Sequence, residues 1–172
     1  MSYIAVKRLC AVAACCVTFG WAYPTAAGAA ENETAVVARL YRDFAWQAMA
    51  SQNELFGADI THRNKADLER YFSPALANLL LRDAACAVRY AGICNLEVDL
   101  LFDSQDPRVT DLEVARTAPG KVTVTFKDPV DDRTTRIDFD VVRAAGKWKI
   151  ADMIYHDPDA LSLKLLLSRK LP

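Results

Sequence analysis

Two periods of hydrophobic spacing divide the chain. In the first half, apolar residues recur at intervals of three and four. Val36, Val37, Leu40, Tyr41, Phe44, Ala48 and Met49 would line one face of a helix running to about Gln52, with Asn32-Glu33-Thr34 as cap candidates. Residues 53–63 read as a loop. Asn64 then caps a short helical turn over 65–72, with Leu68, Tyr71 and Phe72 inward. Ser73-Pro74 is the clearest start signal in the chain, an N-cap ahead of a proline at the first helical position. That helix carries Leu76, Leu79 and Leu80 toward Arg89, and Gly92 is expected to end it.

After Cys94 the period falls to two. Leu96, Val98 and Leu100 alternate with Asn95, Glu97 and Asp99, the mark of a half-buried strand. Leu112 and Val114 begin another. Pro119-Gly120 is a tight-turn signal, and Val122, Val124 and Phe126 lead out of it. Residues 128–133 make the next connection, before Ile137, Phe139 and Val141. Ala145-Gly146 turns the chain again into Trp148 and Ile150. The leucine-rich tail over 159–171 predicts a short closing helix. Helices first and a meander second is an α+β layout, with N-terminal helices packed on a curved antiparallel sheet.

The first 30 residues break this pattern. They contain no acid, only Lys7 and Arg8 near the start, an apolar run from Leu9 to about Tyr23, and then Pro24-Thr25-Ala26-Ala27-Gly28-Ala29-Ala30. This reads as an export signal over 1–29, with Ala27 and Ala29 directing the cut, and 30–172 as a single α+β domain. The competing reading takes Val12-Ala13-Ala14-Cys15 as a lipoprotein box with Cys15 acylated. Against it, Arg8 and Cys15 are close together and the apolar run continues through Val17, Phe19, Trp21 and Tyr23. The expected location is periplasmic or secreted, with no membrane span after signal removal. Losing Lys7 and Arg8 would leave the chain two charges more negative than its full-length −1. No basic stripe is visible in the sequence, so nucleic acid and anionic membrane surfaces are poor partners.

Cys10, Cys15 and Cys16 fall within the signal, which leaves Cys86 and Cys94 as an even pair. In an oxidising compartment a disulfide is the expectation, since a redox site favours two intervening residues rather than seven.

Two stretches carry a resemblance. Gly146-Lys147-Trp148-Lys149-Ile150-Ala151-Asp152-Met153 is similar to the Gly-x-Trp-Lys-Ile-x-Asp-Ile strand common in the nuclear-transport-factor-two-like (cystatin-like) superfamily. Asp99-Leu100-Leu101-Phe102-Asp103-Ser104-Gln105-Asp106 resembles the Asp-x-Phe-x-x-Ala-Gln-Asp motif of an exported bacterial branch, the domain of unknown function 3828 family. Leu101 stands where the motif has phenylalanine and Ser104 where it has alanine. The opening helix around Leu40-Tyr41-Arg42-Asp43-Phe44 and the leucine-rich tail sit where that family has its own. The resemblance implies a cone-shaped roll with the sheet wrapped partly round the first helix, in exported or lipid-anchored proteins of unestablished activity. The superfamily holds isomerases, dehydratases, lipid carriers and non-catalytic modules, so the fold implies no reaction.

The densest polar feature is the turn at 99–106. Asp99, Asp103, Asp106 and Gln105 could hold a ligand or a hard cation through oxygen atoms; the same side chains could instead bond nearby backbone amides and build the turn. The pattern lacks the glycine and terminal glutamate of a calcium loop. Asp152 sits at even spacing from Trp148 and Ile150, so strict alternation points it inward, where burial would raise its pKa as a general acid or base requires. A bulge or a salt bridge would account for it equally well. His62 and His156 lie far apart, which disfavours zinc; a cluster of Tyr155, His156 and Asp152 competes with a solvated loop histidine. No nucleophile elbow or glycine-rich phosphate loop occurs. Together these features predict an exported, non-catalytic binding module with no cofactor, holding a protein partner such as an immunity or envelope factor. The alternative is a carrier or enzyme for a small apolar ligand, with Asp152, Tyr155 and Asp99 as its polar groups. Lipid carriage is that reading's main form, because Asp152-Met153-Ile154 followed by Ser162-Leu163 resembles periplasmic phospholipid-binding proteins.

Overall fold

Helix α1 spans Glu33–Phe44 and starts where the cap pattern places it, with Asn32 Oδ1 accepting from the Ala35 amide at 3.0 Å. The computed structural model describes residues 32–49, 56–156 and 159–172. The export segment, Cys15 and the predicted end of the first helix at 50–52 lie outside them. The α geometry stops at Phe44, whose φ of −132° breaks the ladder, and a 3₁₀ turn over Ala45–Ala48 follows. Val36, Val37, Leu40, Tyr41 and Phe44 form the buried stripe that the spacing predicts.

Helix α2 covers only Lys65–Leu68, capped by Asn64. It is shorter than the predicted turn because Tyr71–Ser73 leaves for the sheet. Ser73 N–H donates to the Ile150 carbonyl at 2.8 Å, and Ile150 N–H donates to the Tyr71 carbonyl at 2.9 Å. A proline-led helix cannot begin without an extended residue before it, and that residue is spent here on covering a strand edge. Helix α3, Pro74–Tyr90, starts with Ser73 Oγ accepting from Leu76 N–H at 3.3 Å. Its left-handed closing residue is Ala91, at φ 49°, one place before the glycine expected to serve.

Five antiparallel strands pair in chain order: β1 Thr110–Ala118, β2 Lys121–Lys127, β3 Thr134–Ala144, β4 Lys147–Tyr155 and β5 Leu161–Ser162. Helix α4, Leu163–Ser168, follows the last strand. Gly120 takes φ 72° in the two-residue β1–β2 turn, and a Cβ there would stand 3.3 Å from the Val141 carbonyl oxygen, so glycine is favoured on both counts. Helix α1 packs against β1, β2 and β4, and α4 packs against α3 and β4. Between helices and sheet, the Tyr41 ring meets Phe102 and Phe139 edge-on at centroid distances of 5.8 and 6.1 Å. The architecture is therefore α+β, with helices on an antiparallel sheet, as the two periods predict.

Two expectations are decided here, one of them as a correction. No strand forms over 95–100. The Asp83 carboxylate accepts from the amides of Asn95 and Leu96, and the Asp99 carboxylate from those of Leu101 and Phe102. Tyr155 and Tyr41 hydroxyls donate to the Leu100 and Leu101 carbonyls at 3.0 and 2.7 Å. With its backbone groups met by side chains, the segment needs no strand partner. The second concerns β4, where the spacing leaves inward alternation and a bulge both open, and the bulge is found. Asp140 pairs with Asp152 but Val141 pairs with Ile150, so Ala151 is an extra residue, a β-bulge. Ile150, Met153 and Tyr155 all face the core, and Asp152 does not.

The disulfide between Cys86 and Cys94 is present, joining the last turns of α3 to the irregular segment. Among the described residues, no helix is long and apolar enough to cross a membrane. Both facts are compatible with a protein of an oxidising, non-cytoplasmic compartment.

Candidate functional site

A cleft of about 320 Å³ opens where the end of α1, the 3₁₀ turn Ile60–His62 and the irregular segment meet. Trp46, Gln47, Asp59, Thr61, Glu97 and Asp99 line it, with Leu96, Val98 and Leu100 as its apolar wall. Each polar group is placed by local chemistry. Asp59 caps the 3₁₀ turn, its Oδ1 accepting from Thr61 N–H at 2.8 Å and His62 N–H at 3.1 Å. It also takes the Thr61 hydroxyl at 2.6 Å and lies 2.8 Å from His62 Nδ1. Gln47 bridges the floor: its amide donates to Asp99 Oδ2 at 2.5 Å while its oxygen accepts from Ile60 N–H at 3.2 Å. Trp46 forms the rim, stacked on Phe56 with centroids 5.2 Å apart and planes inclined by 17°.

The two carboxyls have opposite environments. Burial pushes the pKa of Asp99 up and the nearby charge of Asp59 pushes it further, although the amides of Leu101, Gln47 and Phe102 work the other way. Burial would raise Asp59 too, but hydrogen bonds from Thr61 and His62 and the His62 charge outweigh it and hold the group below the ordinary carboxylate range. Glu97 adds a third, exposed carboxylate at the mouth. The lining carries three acids and no cation, with an aromatic rim.

Of the residues singled out in the sequence, Asp99 reaches this cleft and the others do not. Asp103 takes the left-handed φ of 51° inside the turn, and its amide donates to the Asp99 carbonyl. Asp106 is exposed and pairs with Arg108 at 3.2 Å; Gln105 is exposed beside it. The turn is held by its own side chains, Ser104 Oγ accepting from Asp106 N–H, and no three His, Cys, Asp or Glu side chains converge on a metal position among the described residues. Asp152 faces away from the core. It accepts from Ser162 Oγ at 2.6 Å and from Lys164 N–H at 2.9 Å, and so anchors the start of α4. The Tyr155 hydroxyl is committed to Leu100, and burial raises its pKa well above the ordinary tyrosine value. His156 pairs with Asp138 at 2.8 Å, not with Asp152.

The polar and aromatic residues that sequence reasoning missed are Trp46, Gln47, Asp59, Thr61 and Glu97. Trp46 and Gln47 lie inside the stretch read as continuous helix. Asp59 had a usable signal: an aspartate directly before Ile60-Thr61-His62 is a cap pattern. Comparison of the chain with family models, curated proteins and solved structures found no match.

Proposed function

We propose that the protein is an exported, non-catalytic binding module that holds a protein partner by taking one of its cationic side chains into the acidic cleft. The observation that carries this reading is the lining itself: Asp59, Asp99 and Glu97 around the Trp46 rim, with no cation among them. A lysine or arginine entering there meets carboxylates on one side and an indole on the other, and both attract it. The polar floor is already hydrogen-bonded through Gln47, so the site is preformed and little ordering entropy is lost on binding. Export is supported by the signal-like segment and by the disulfide. Kinship with the domain of unknown function 3828 family, and with it the cone-shaped cystatin-like roll, is supported by the 99–106 and 146–153 stretches and by α1 lying across the meander. The rival carrier or enzyme reading would use Asp152, Tyr155 and Asp99 as free polar groups in an apolar pocket, whereas the first two hold neighbouring backbone and Asp99 accepts from Gln47 and from the Leu101 and Phe102 amides.

Titration with a hexalysine peptide, followed by amide NMR, tests the proposal. Saturable shifts at Gln47, Thr61 and Glu97 are expected, weakened roughly fivefold by Glu97→Gln, an exposed position outside the hydrogen-bonded floor. Shifts that never saturate, or that lie elsewhere on the surface, would refute it.

A further inference from the structure

A second cleft, of about 370 Å³, lies between α1, the end of α2 and the start of β4. Its lining is Arg39, Ala66, Glu69, Arg70, Lys147 and Lys149, four cations against one carboxylate in a chain of net charge −1. The four come from separate parts of the sequence and are brought together by the Tyr71–Ser73 stretch joining the edge of β4. Tyr71 is the floor. The Arg39 and Arg70 guanidinium carbons lie 5.9 and 5.7 Å from its ring centroid. Arg39 also reaches the Arg70 carbonyl at 3.4 Å, and Lys149 Nζ donates to the carbonyls of Glu69 and Arg70. The one lining carboxylate, Glu69, has Lys65 Nζ at 3.7 Å. Asp43, whose charge Arg70 also feels, accepts from the Tyr71 hydroxyl at 2.7 Å and from Arg42 at 3.0 Å.

We infer that this cleft binds a multiply charged oxyanion, a phosphate or diphosphate group. Two guanidinium forks match such a group bidentately, and two ammonium groups add compact charge. Contacts to the tyrosine ring and to backbone carbonyls hold the cations near the floor, so little rotamer freedom is lost when an anion arrives. The site is separate from the acidic cleft and does not depend on the function proposed for it. The oxyanion could belong to a soluble phosphorylated molecule or to a lipid headgroup, which share this chemistry.

Amide NMR of the purified protein, titrated with pyrophosphate at ~0.15 M salt where exposed charges are largely screened, is the first arm. Saturable shifts confined to residue 39 and residues 66–70 and 147–149 are expected, with at least tenfold weaker binding in Arg70→Gln and in Lys147→Gln. Both positions are exposed, so neither exchange disturbs the core. The second arm is co-sedimentation with vesicles containing phosphatidic acid, whose headgroup is a phosphomonoester, against phosphatidylcholine vesicles. Vesicle binding that pyrophosphate displaces supports the site with a headgroup as source; pyrophosphate binding with no vesicle retention supports it with a soluble source. No saturable pyrophosphate shift, or shifts unchanged in both variants, overturns the inference.

Discussion

Reducing the Cys86–Cys94 disulfide should lower stability by an amount that the loop length sets. The cysteines are 8 apart in sequence, and closing so short a loop removes roughly 2.5 kcal/mol of chain entropy from the unfolded state. Reduction keeps both sulfur atoms in place, so no cavity is added to the cost. The native contacts of the segment should survive, because Asp83 still holds the Asn95 and Leu96 amides. Urea unfolding followed by the fluorescence of Trp46 and Trp148, with and without reductant, measures the difference. With a slope of about 2 kcal/mol/M, the midpoint should fall by about 1.2 M and the slope should stay nearly constant. A loss below about 1 kcal/mol would mean that the 86–94 loop is already closed in the denatured ensemble. A loss well above ~4 kcal/mol would mean that Asp83 does not hold the segment alone. Either result refutes the reasoning.

Two further outcomes follow from the same segment. Tyr155→Phe removes the donor to a buried carbonyl at Leu100 and should cost ~1–3 kcal/mol of unfolding free energy; a loss under about 0.5 kcal/mol would show that the bond contributes little. Asp99→Asn tests the electrostatics of the cleft floor. The folded-state pKa of Asp99 lies above the ordinary 3.8, so its contribution favours folding below 3.8 and is lost as pH rises through the folded value. The deficit of the asparagine variant against wild type should therefore be larger near pH 3.5 than near pH 7, read as a difference in melting temperature. A deficit that grows with pH would reverse the sign of the argument.

Local chemistry made much of the fold legible. Asn32, Asn64 and Ser73 each cap within three residues of themselves, so their helices begin where the sequence places them. The meander is legible for the same reason: apolar and polar residues alternate along β2 and β3, and Val122, Val124, Phe126, Ile137, Phe139 and Val141 share one buried face of the sheet. What was not legible depends on partners remote in sequence. The alternation at 95–100 is genuine, but whether it makes a strand depends on Asp83, Tyr41 and Tyr155, none of them adjacent. Asp152 follows the alternation of Trp148 and Ile150 only if no residue is inserted, and Ala151 is that insertion. The acidic cleft joins positions 46–47, 59–61 and 96–100, and the basic one joins 39, 66–70 and 147–149. A scan for charge runs passes over both, since neither contains a run.

The bulge at Ala151 also changes what kind of alteration β4 tolerates. The strand is in effect written in two frames, one ending at Ile150 and the other starting at Asp152, and both sets of core residues depend on the join. Position 151 matters through its bulged conformation more than through its side chain. Deleting it would leave both frames facing as they do and regularise the ladder, Ile150 opposite Val141 and Asp152 opposite Asp140, whereas pairing it into the ladder would send Met153 and Tyr155 to the outer face and Asp152 to the inner one. Leu100 would lose its tyrosine and α4 its anchor in the same event. No substitution in the strand does as much. At this point the protein depends on a conformation, and two distant parts of the molecule are keyed to it.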